Sequence, residues 1–147
     1  FLHKFSMAEN LLDKDYEGYK ADDNSIEQFR HLNVQKIKKR RRENASILLE
    51  SLSGINCLSP IFEHIGKDDI PLFVPILVGA KWRDNLHRYL ISKRIYCPIH
   101  WGLTEYHKKI SNIAREIYAM EISLICDQRY NADDMRRIAD CLKKFRV

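Results

Sequence analysis

Apolar residues recur at helical spacing through the first third of the chain. Residues 1–13 predict a first helix, and a polar loop follows it. Ser25 and Gln28 form a capping-box pattern from which one long helix is predicted, and Gly54 is expected to close its C-terminal end. The apolar positions of this long helix are Ile26, Phe29, Ile37, Leu48, Leu49 and Leu52.

Beyond residue 55, short apolar runs alternate with helical spacing. The runs predict strands at 55–58, 70–78, 94–99 and 120–126. Pro71 and Pro75 indicate that the second of these is an edge strand or an irregular one. Helices are predicted at 81–93, around residues 110–117, and after Asn131, a favoured N-cap residue that is followed by Asp133 and Asp134. The last helix should bury Met135, Ile138, Leu142 and Phe145.

These elements predict an α+β fold. We expect a small, mostly antiparallel sheet of three to four strands, covered by helices and preceded by a long linker helix. The predicted regions are an N-terminal helix and loop from an inter-domain region (1–23), the linker helix (24–54) and an α+β small domain (55–147). Because the sequence opens on Phe1 within a helical pattern, we also expect the chain to begin partway through a longer protein.

The composition is typical of a folded, soluble chain. Its 147 residues are 45% hydrophobic and 31% charged, which fits one domain with a real core. The longest apolar stretch, 70–80, is too short to cross a bilayer, so we expect no membrane partner. The four cysteines form no C-x-x-C pair and no signal peptide is visible, which predicts reduced thiols in a cytoplasmic protein.

The positive charge is concentrated at one place. The formal charge is +5, and removing the six basic residues between 36 and 42 would leave about −1. Seven consecutive helical positions circle the helix nearly twice, so these charges cannot all face one groove. We therefore do not expect nucleic acid as a partner. A small basic nucleic-acid-binding module that uses residues 26–52 is the alternative function.

Five segments, in this order, resemble the C-terminal small domain of fold-type I pyridoxal-phosphate aminotransferases, above all the DegT-type sugar aminotransferases. They are "FSMAENLLDKD", "IKKRRRENASILLESL", "IPLFVPILV", "RDNLHRYLISKRIYCPIHW" and "SLICDQRYNADDMRRIADCL". The likeness extends over most of the chain. Two departures are Arg94, where a glycine is commoner, and Ile122–Leu124, which replace a more usual Leu-Pro pair.

The resemblance implies part of a transaminase that moves an amino group between a small-molecule amino donor and a carbonyl acceptor. In the family a large-domain lysine holds pyridoxal phosphate as a Schiff base. Neither Lys67 nor Lys81 lies in that lysine's sequence context. The resemblance therefore implies that this chain has no catalytic or cofactor-binding residue, and that a missing large domain binds the cofactor. The chain alone should be inactive, and the full-length enzyme should be a homodimer.

Three residues are candidates for substrate binding. His100 and Trp101 follow a predicted strand and a proline, and the resemblance implies that their loop lies near the mouth of the active site. Arg129 could bind a substrate carboxylate, as a small-domain arginine does in related enzymes. The other interpretation of Arg129 is an ion pair with Asp127 or Asp133 at the start of the last helix.

Two further expectations concern residues outside this set. Cys97 has no evident base nearby in the sequence, so we predict a small buried hydrophobe, and no metal site is expected because only His100 and His107 approach ligand spacing. We interpret Arg40–Asn44 as residues that tie the small domain to a missing large domain.

Overall fold

A computed structural model describes residues 2–15, 20–100, 107 and 111–146 of the chain. It divides into two compact units, Phe1–Asn33 and Val34–Val147. The α+β class predicted from the sequence is confirmed, with a three-stranded antiparallel sheet in the second unit. In the part of the chain that the structure describes, no helix is both long and apolar enough to cross a membrane.

The first unit contains helices α1 (Leu2–Asp15) and α2 (Asp23–Arg30). The N-cap of α2 is Asp22, whose carboxylate accepts hydrogen bonds from the backbone N–H (3.0 Å) and the hydroxyl (2.6 Å) of Ser25. The predicted cap at Ser25 is therefore wrong by three positions. All side chains that the structure describes in this unit are exposed, including Phe29 at 76%.

The second unit opens with α3 (Val34–Leu52), so the single helix predicted from residue 25 onwards is in fact two. The break follows His31, where the N–H of Leu32 bonds back only three residues, to the carbonyl of Phe29. Asn33 precedes α3, and asparagine favours the N-cap position over a helix interior. Local preference at this site therefore outweighs the continuous apolar spacing. The predicted end is confirmed, because Gly54 follows α3 with a φ of 85°.

The sheet has the order β1 (Leu58–Pro60), β2 (Phe73–Val78), β3 (Glu121–Ile125). The predicted edge position of the proline-containing strand is wrong, because β2 is central. The carbonyl of Pro75 accepts a hydrogen bond from the N–H of Ile61, one residue past the end of β1. In antiparallel pairing the N–H and C=O of a residue face the same neighbouring strand, so the position of the missing N–H of Pro75 faces the side where β1 has ended. Pro75 is therefore tolerated in a central strand.

Two predicted strands differ from the observed structure. The first begins at Leu58 rather than at residue 55. The segment 95–100 is not a strand, although the carbonyl of Pro98 accepts from the N–H of Ser123 in β3 (3.2 Å). Pro98 has no N–H to donate, and Arg94 enters the segment at a φ of 57°, which turns the chain out of regular pairing.

Three helices complete the second unit: α4 (Ala80–Ser92), α5 (Asn112–Met120) and α6 (Ala132–Lys144). The predicted cap of α6 is confirmed, since Asn131 and Asp134 form a capping box. Helix α3 packs against α6 and against β1 and β2. The predicted stripe of α6 is buried at Met135, Ile138 and Leu142, and Phe145 is half-buried.

The core of the second unit forms between the sheet and α3, α4 and α6. Val74 pairs with Leu124 and Ile76 with Ile122, and these four side chains face the helices together. The helices contribute fully buried leucines and a methionine: Leu48, Leu86, Leu90, Met135 and Leu142. Each of these residues is supplied by the second unit itself.

Candidate functional site

His100 lies at the end of the irregular segment 95–100 and is half-buried. Its ring packs edge-on against the ring of Phe73, the first residue of β2, with 4.7 Å between the ring centroids. Trp101 lies outside the described residues. The structure therefore places one of the two predicted loop residues at the start of β2, and its role in substrate binding stays a prediction.

Phe73 also lines an apolar cavity of about 410 Å³. The opposite wall is formed by α3, through Ala45 and Leu49, and the rim carries Phe62, which is 64% exposed. His64 and Asp69 are the polar residues that line this cavity. Apolar walls with few polar groups are typical of small-molecule sites.

Arg129 is held by Asp127, a carboxylate only 3% exposed. Its Nε donates to both carboxylate oxygens at 3.0 Å, its Nη2 to Oδ2 at 2.5 Å, and its backbone N–H to Oδ1 at 2.8 Å. Of the two predicted partners, Asp127 is therefore the observed one, because Asp133 pairs with Arg136 at 2.8 Å. Binding of a substrate carboxylate by Arg129 stays a prediction.

The pKa of Asp127 reflects two opposing effects. Burial acts to raise the pKa of this carboxyl group. The hydrogen bonds and the positive charge of Arg129 outweigh burial and hold the pKa below the ordinary value. Asp127 is therefore a carboxylate whose charge serves to fix the orientation of the Arg129 side chain.

The basic run on α3 is dispersed, as its helical geometry predicts. Arg41 donates from Nε to Gln128 Oε1 at 2.6 Å. Arg42 donates from Nη1 to the carbonyls of Gly66 (2.9 Å) and Asp69 (2.6 Å) in a different loop. Because neighbouring arginines reach separate loops, they do not form one phosphate-contacting surface, and the nucleic-acid-binding alternative is not favoured.

Asn44 is fully buried on α3 and fixes the turn after β3. Its Nδ2 donates to the carbonyls of Cys126 (3.3 Å), Asp127 (3.0 Å) and Tyr130 (3.0 Å). Sequence reasoning did not identify this role, although an asparagine one turn from Leu48 on the apolar face of a helix is a signal for a buried polar contact.

Three of the residues Arg40–Asn44 have partners within this chain, and their contact with a large domain stays a prediction. Arg41, Arg42 and Asn44 all bind loops of their own unit. The physical reason is that α3 lies against the sheet and α6, so the adjacent loops offer carbonyl acceptors within reach of its side chains.

No lysine among the described residues is buried. Lys67 and Lys81 are both exposed, and the ammonium of Lys81 lies 5.3 Å from the ring centroid of Trp82. Within the described ranges there is also no group of three or more residues placed to hold a metal ion.

The cysteines are free thiols. Cys97 is 3% exposed, which confirms the prediction of a small buried hydrophobe, and burial raises its pKa to about 11. Burial, together with the charge of Asp127, raises the pKa of Cys126 to about 12. Neither thiol forms a reactive thiolate near neutral pH.

No family model and no curated protein matches the sequence. Solved structures do match the fold. PseC of Helicobacter pylori, an aminotransferase involved in the biosynthesis of pseudoaminic acid, superposes with a TM-score of 0.63 at 19% identity over 73% of this chain. The sugar aminotransferase CalS13 of Micromonospora echinospora gives 0.62 at 17% identity over 76%, and Spr1654 of Streptococcus pneumoniae, solved in PLP and PMP forms, gives 0.58 over 73% for the PMP form at 16% identity.

The match covers a limited part of these enzymes. This chain spans 32% of PseC, 31% of CalS13 and 30% of Spr1654. The resemblance to sugar aminotransferases inferred from the sequence is thus confirmed as a likeness of fold, to about a third of each enzyme.

Proposed function

We propose that this chain is the C-terminal small domain of a pyridoxal-phosphate-dependent aminotransferase of the sugar-aminotransferase type. The observation that carries the proposal is the fold match, which covers about three quarters of this chain and about a third of each matched enzyme. The order of the sequence segments that resemble the family supports the same assignment.

In this proposal the chemistry is divided between two domains. The cofactor supplies the electron sink for transamination when it is bound, and a large domain supplies the lysine that holds it. The whole enzyme would be a cytoplasmic homodimer, with this chain contributing to the domain and subunit interfaces.

The proposed contribution of this chain is to the substrate side of the active site. His100 and Trp101 would contact the substrate, and the packing of His100 on Phe73 supports a fixed position for the His100 ring. Arg129 would bind an anionic group of the amino donor or the carbonyl acceptor through Nη1, since Asp127 occupies the other two nitrogens of its guanidinium group.

The proposal is tested by expressing the complete gene that encodes this chain, with the chain alone as the matched control. The complete product should carry pyridoxal phosphate as a Schiff base that borohydride reduction fixes to one lysine, identified by mass spectrometry. The chain alone, incubated with the cofactor, should give no specific adduct and no amino transfer. A complete product without bound cofactor would contradict the proposal, and so would a specific adduct within residues 34–147.

A further inference from the structure

A second cavity, separate from the apolar one, lies between α3 and the turn that precedes α6. Its volume is about 340 Å³, within the range of small-molecule sites. Lys36 and Arg40 line it from α3, and Arg129 lines it from the turn. The remaining lining residues are uncharged, so this wall carries three cationic side chains and no carboxylate.

The side chains around this cavity are held in place from α3. Lys36, Arg40 and Asn44 lie four residues apart and share one face of the helix. Asn44 donates to the carbonyl of Tyr130 at 3.0 Å, and Arg41 donates to Gln128 at 2.6 Å. These two hydrogen bonds fix the turn against α3, and the turn and α3 together bound the cavity.

Two guanidinium groups at the cavity have N–H donors that no contact among the described residues uses. Arg40 is half-buried, and among the described residues it has no hydrogen-bond or ion-pair partner. Arg129 is bound to Asp127 through Nε and Nη2, which leaves Nη1 unused in the described contacts. An anion that enters the cavity can therefore accept from these donors.

The carboxylates in the turn and in the first turn of α6 are already engaged. Asp127 faces Arg129 from the buried side, and Asp133 pairs with Arg136. Asp134 accepts from the N–H of Asn131 in the capping box. The side-chain oxygen of Asn131 in turn accepts hydrogen bonds from the N–H groups of Asp133 and Asp134. The site therefore depends on the arginine side chains and not on free amides at the start of α6.

We propose that this cavity binds a phosphate monoester carried by a small molecule, with Arg40 and Nη1 of Arg129 as donors to its oxygens. A guanidinium fork matches the geometry of phosphate oxygens, and the two arginines can donate to one phosphate group. Ile37 and the half-buried Tyr130 provide the apolar surface against which the organic part of the ester packs. The inference deepens the proposed function at Arg129, whose Nη1 is assigned there to an anionic group of the substrate, but its test measures binding and not amino transfer.

The test is a titration of the whole chain with glycerol 3-phosphate and with inorganic phosphate at constant ionic strength, followed by amide NMR. Saturable shifts are expected at Arg129, Tyr130 and Asn131, with the ester binding more tightly than inorganic phosphate. Shifts that do not saturate, or that spread evenly over the basic surface, would overturn the proposal. Binding of inorganic phosphate without the ester would overturn the assignment to a small-molecule ester.

Variants separate this site from general attraction to the basic helix. Arg40→Gln should weaken ester binding by about tenfold or more, the loss of a charge-assisted hydrogen bond. Lys39→Gln removes the same charge from the next position, where the lysine is 80% exposed and pairs with Glu43. This control should change affinity by less than about twofold. Equal effects of the two variants would refute the site.

Arg40→Lys provides the check on folding. It keeps the charge and the helix propensity but loses the planar fork, so it should bind more weakly than the unmodified chain and more tightly than Arg40→Gln. An Arg40→Lys protein that binds as tightly as the unmodified chain would contradict a role for the guanidinium geometry.

Discussion

The Asp127–Arg129 pair shows how a single charged residue can be fixed by its immediate neighbour. Asp127 is 3% exposed, and its carboxylate accepts from the backbone and side chain of Arg129. Because its pKa is lowered in the folded state, the stabilisation is fully present above the ordinary carboxyl pKa and is lost as pH falls through the lowered value.

We predict that Arg129→Gln shifts acid unfolding to higher pH. Without the guanidinium, burial acts on Asp127 with less opposition, so its pKa rises and the protein loses stability at a higher pH than the unmodified chain. Circular dichroism across a pH titration measures the midpoint. Arg136→Gln, which breaks only the exposed pair with Asp133, should leave that midpoint in place. An unchanged midpoint in Arg129→Gln would rule out this coupling.

Arg94 shows a different effect at the residue scale, a backbone conformation that its side chain does not favour. Its φ is 57°, the left-handed region, which explains why a glycine is commoner at this position in the family that the sequence resembles. We predict that Arg94→Gly raises the free energy of unfolding by about 0.5–1 kcal/mol, the strain relieved less the added chain entropy. Urea denaturation measures the change. Arg88→Gly, inside α4, should instead lower it by about 1 kcal/mol.

Among the elements, α3 packs against α6, β1 and β2, and Asn44 is the buried polar residue that joins it to the turn before α6. Its amide nitrogen, which carries two hydrogens, lies 3.0–3.3 Å from three carbonyl oxygens of the turn between β3 and α6, so these acceptors share its donors. We predict that Asn44→Ala lowers the free energy of unfolding by about 2 kcal/mol, because buried acceptors lose their donor. Thermal and urea unfolding check the value.

Two further variants define the origin of that loss. Glu50→Ala, at an exposed position of the same helix, should change stability by less than about 0.5 kcal/mol. Asn44→Asp keeps the size of the side chain but places an acceptor against acceptors, so it should destabilise the chain more than Asn44→Ala does. If aspartate were tolerated as well as alanine, the three hydrogen bonds would not be the source of the stability.

The elements that the sequence predicts well are those whose signals are local. The capping box of Asn131 and the apolar stripe of α6 are each encoded within a few residues. The break at His31 and the irregular segment at 95–100 are harder to predict. At both places an apolar pattern that favours a continuous helix or strand competes with local backbone preferences, those of Asn33 in the first case and of Arg94 and Pro98 in the second. The central position of β2 could not be predicted, because it depends on where β1 ends in relation to Pro75.

For the candidate site, the sequence identifies residue types but not partners. Arg129 was a candidate for either a ligand contact or an ion pair, and the choice depends on the turn that brings Asp127 beneath it. The roles of Arg41, Arg42 and Asn44 needed the packing of α3, because their acceptors lie 24 to 87 positions away in the sequence.

At the scale of the whole molecule, the hydrophobic core belongs to one of the two units. Each residue in the core lies between Ala45 and Phe145, whereas all described side chains of residues 3–33 are exposed. Burial of apolar surface is the main favourable contribution to folding, so the stability of the chain should be determined by residues 34–147.

We therefore predict that a protein comprising residues 34–147 folds with nearly the same thermal midpoint and urea dependence as the whole chain. The slope of the urea dependence follows the surface exposed on unfolding, and this surface lies mainly in the core of the second unit. Limited proteolysis of the whole chain should cut first near residues 31–33, between α2 and α3. The informative control is a protein lacking residues 132–147, which removes the buried face of α6 and should not fold. A large loss of stability on removing residues 1–33 would mean that the first unit contributes to the core, contrary to the observed burial.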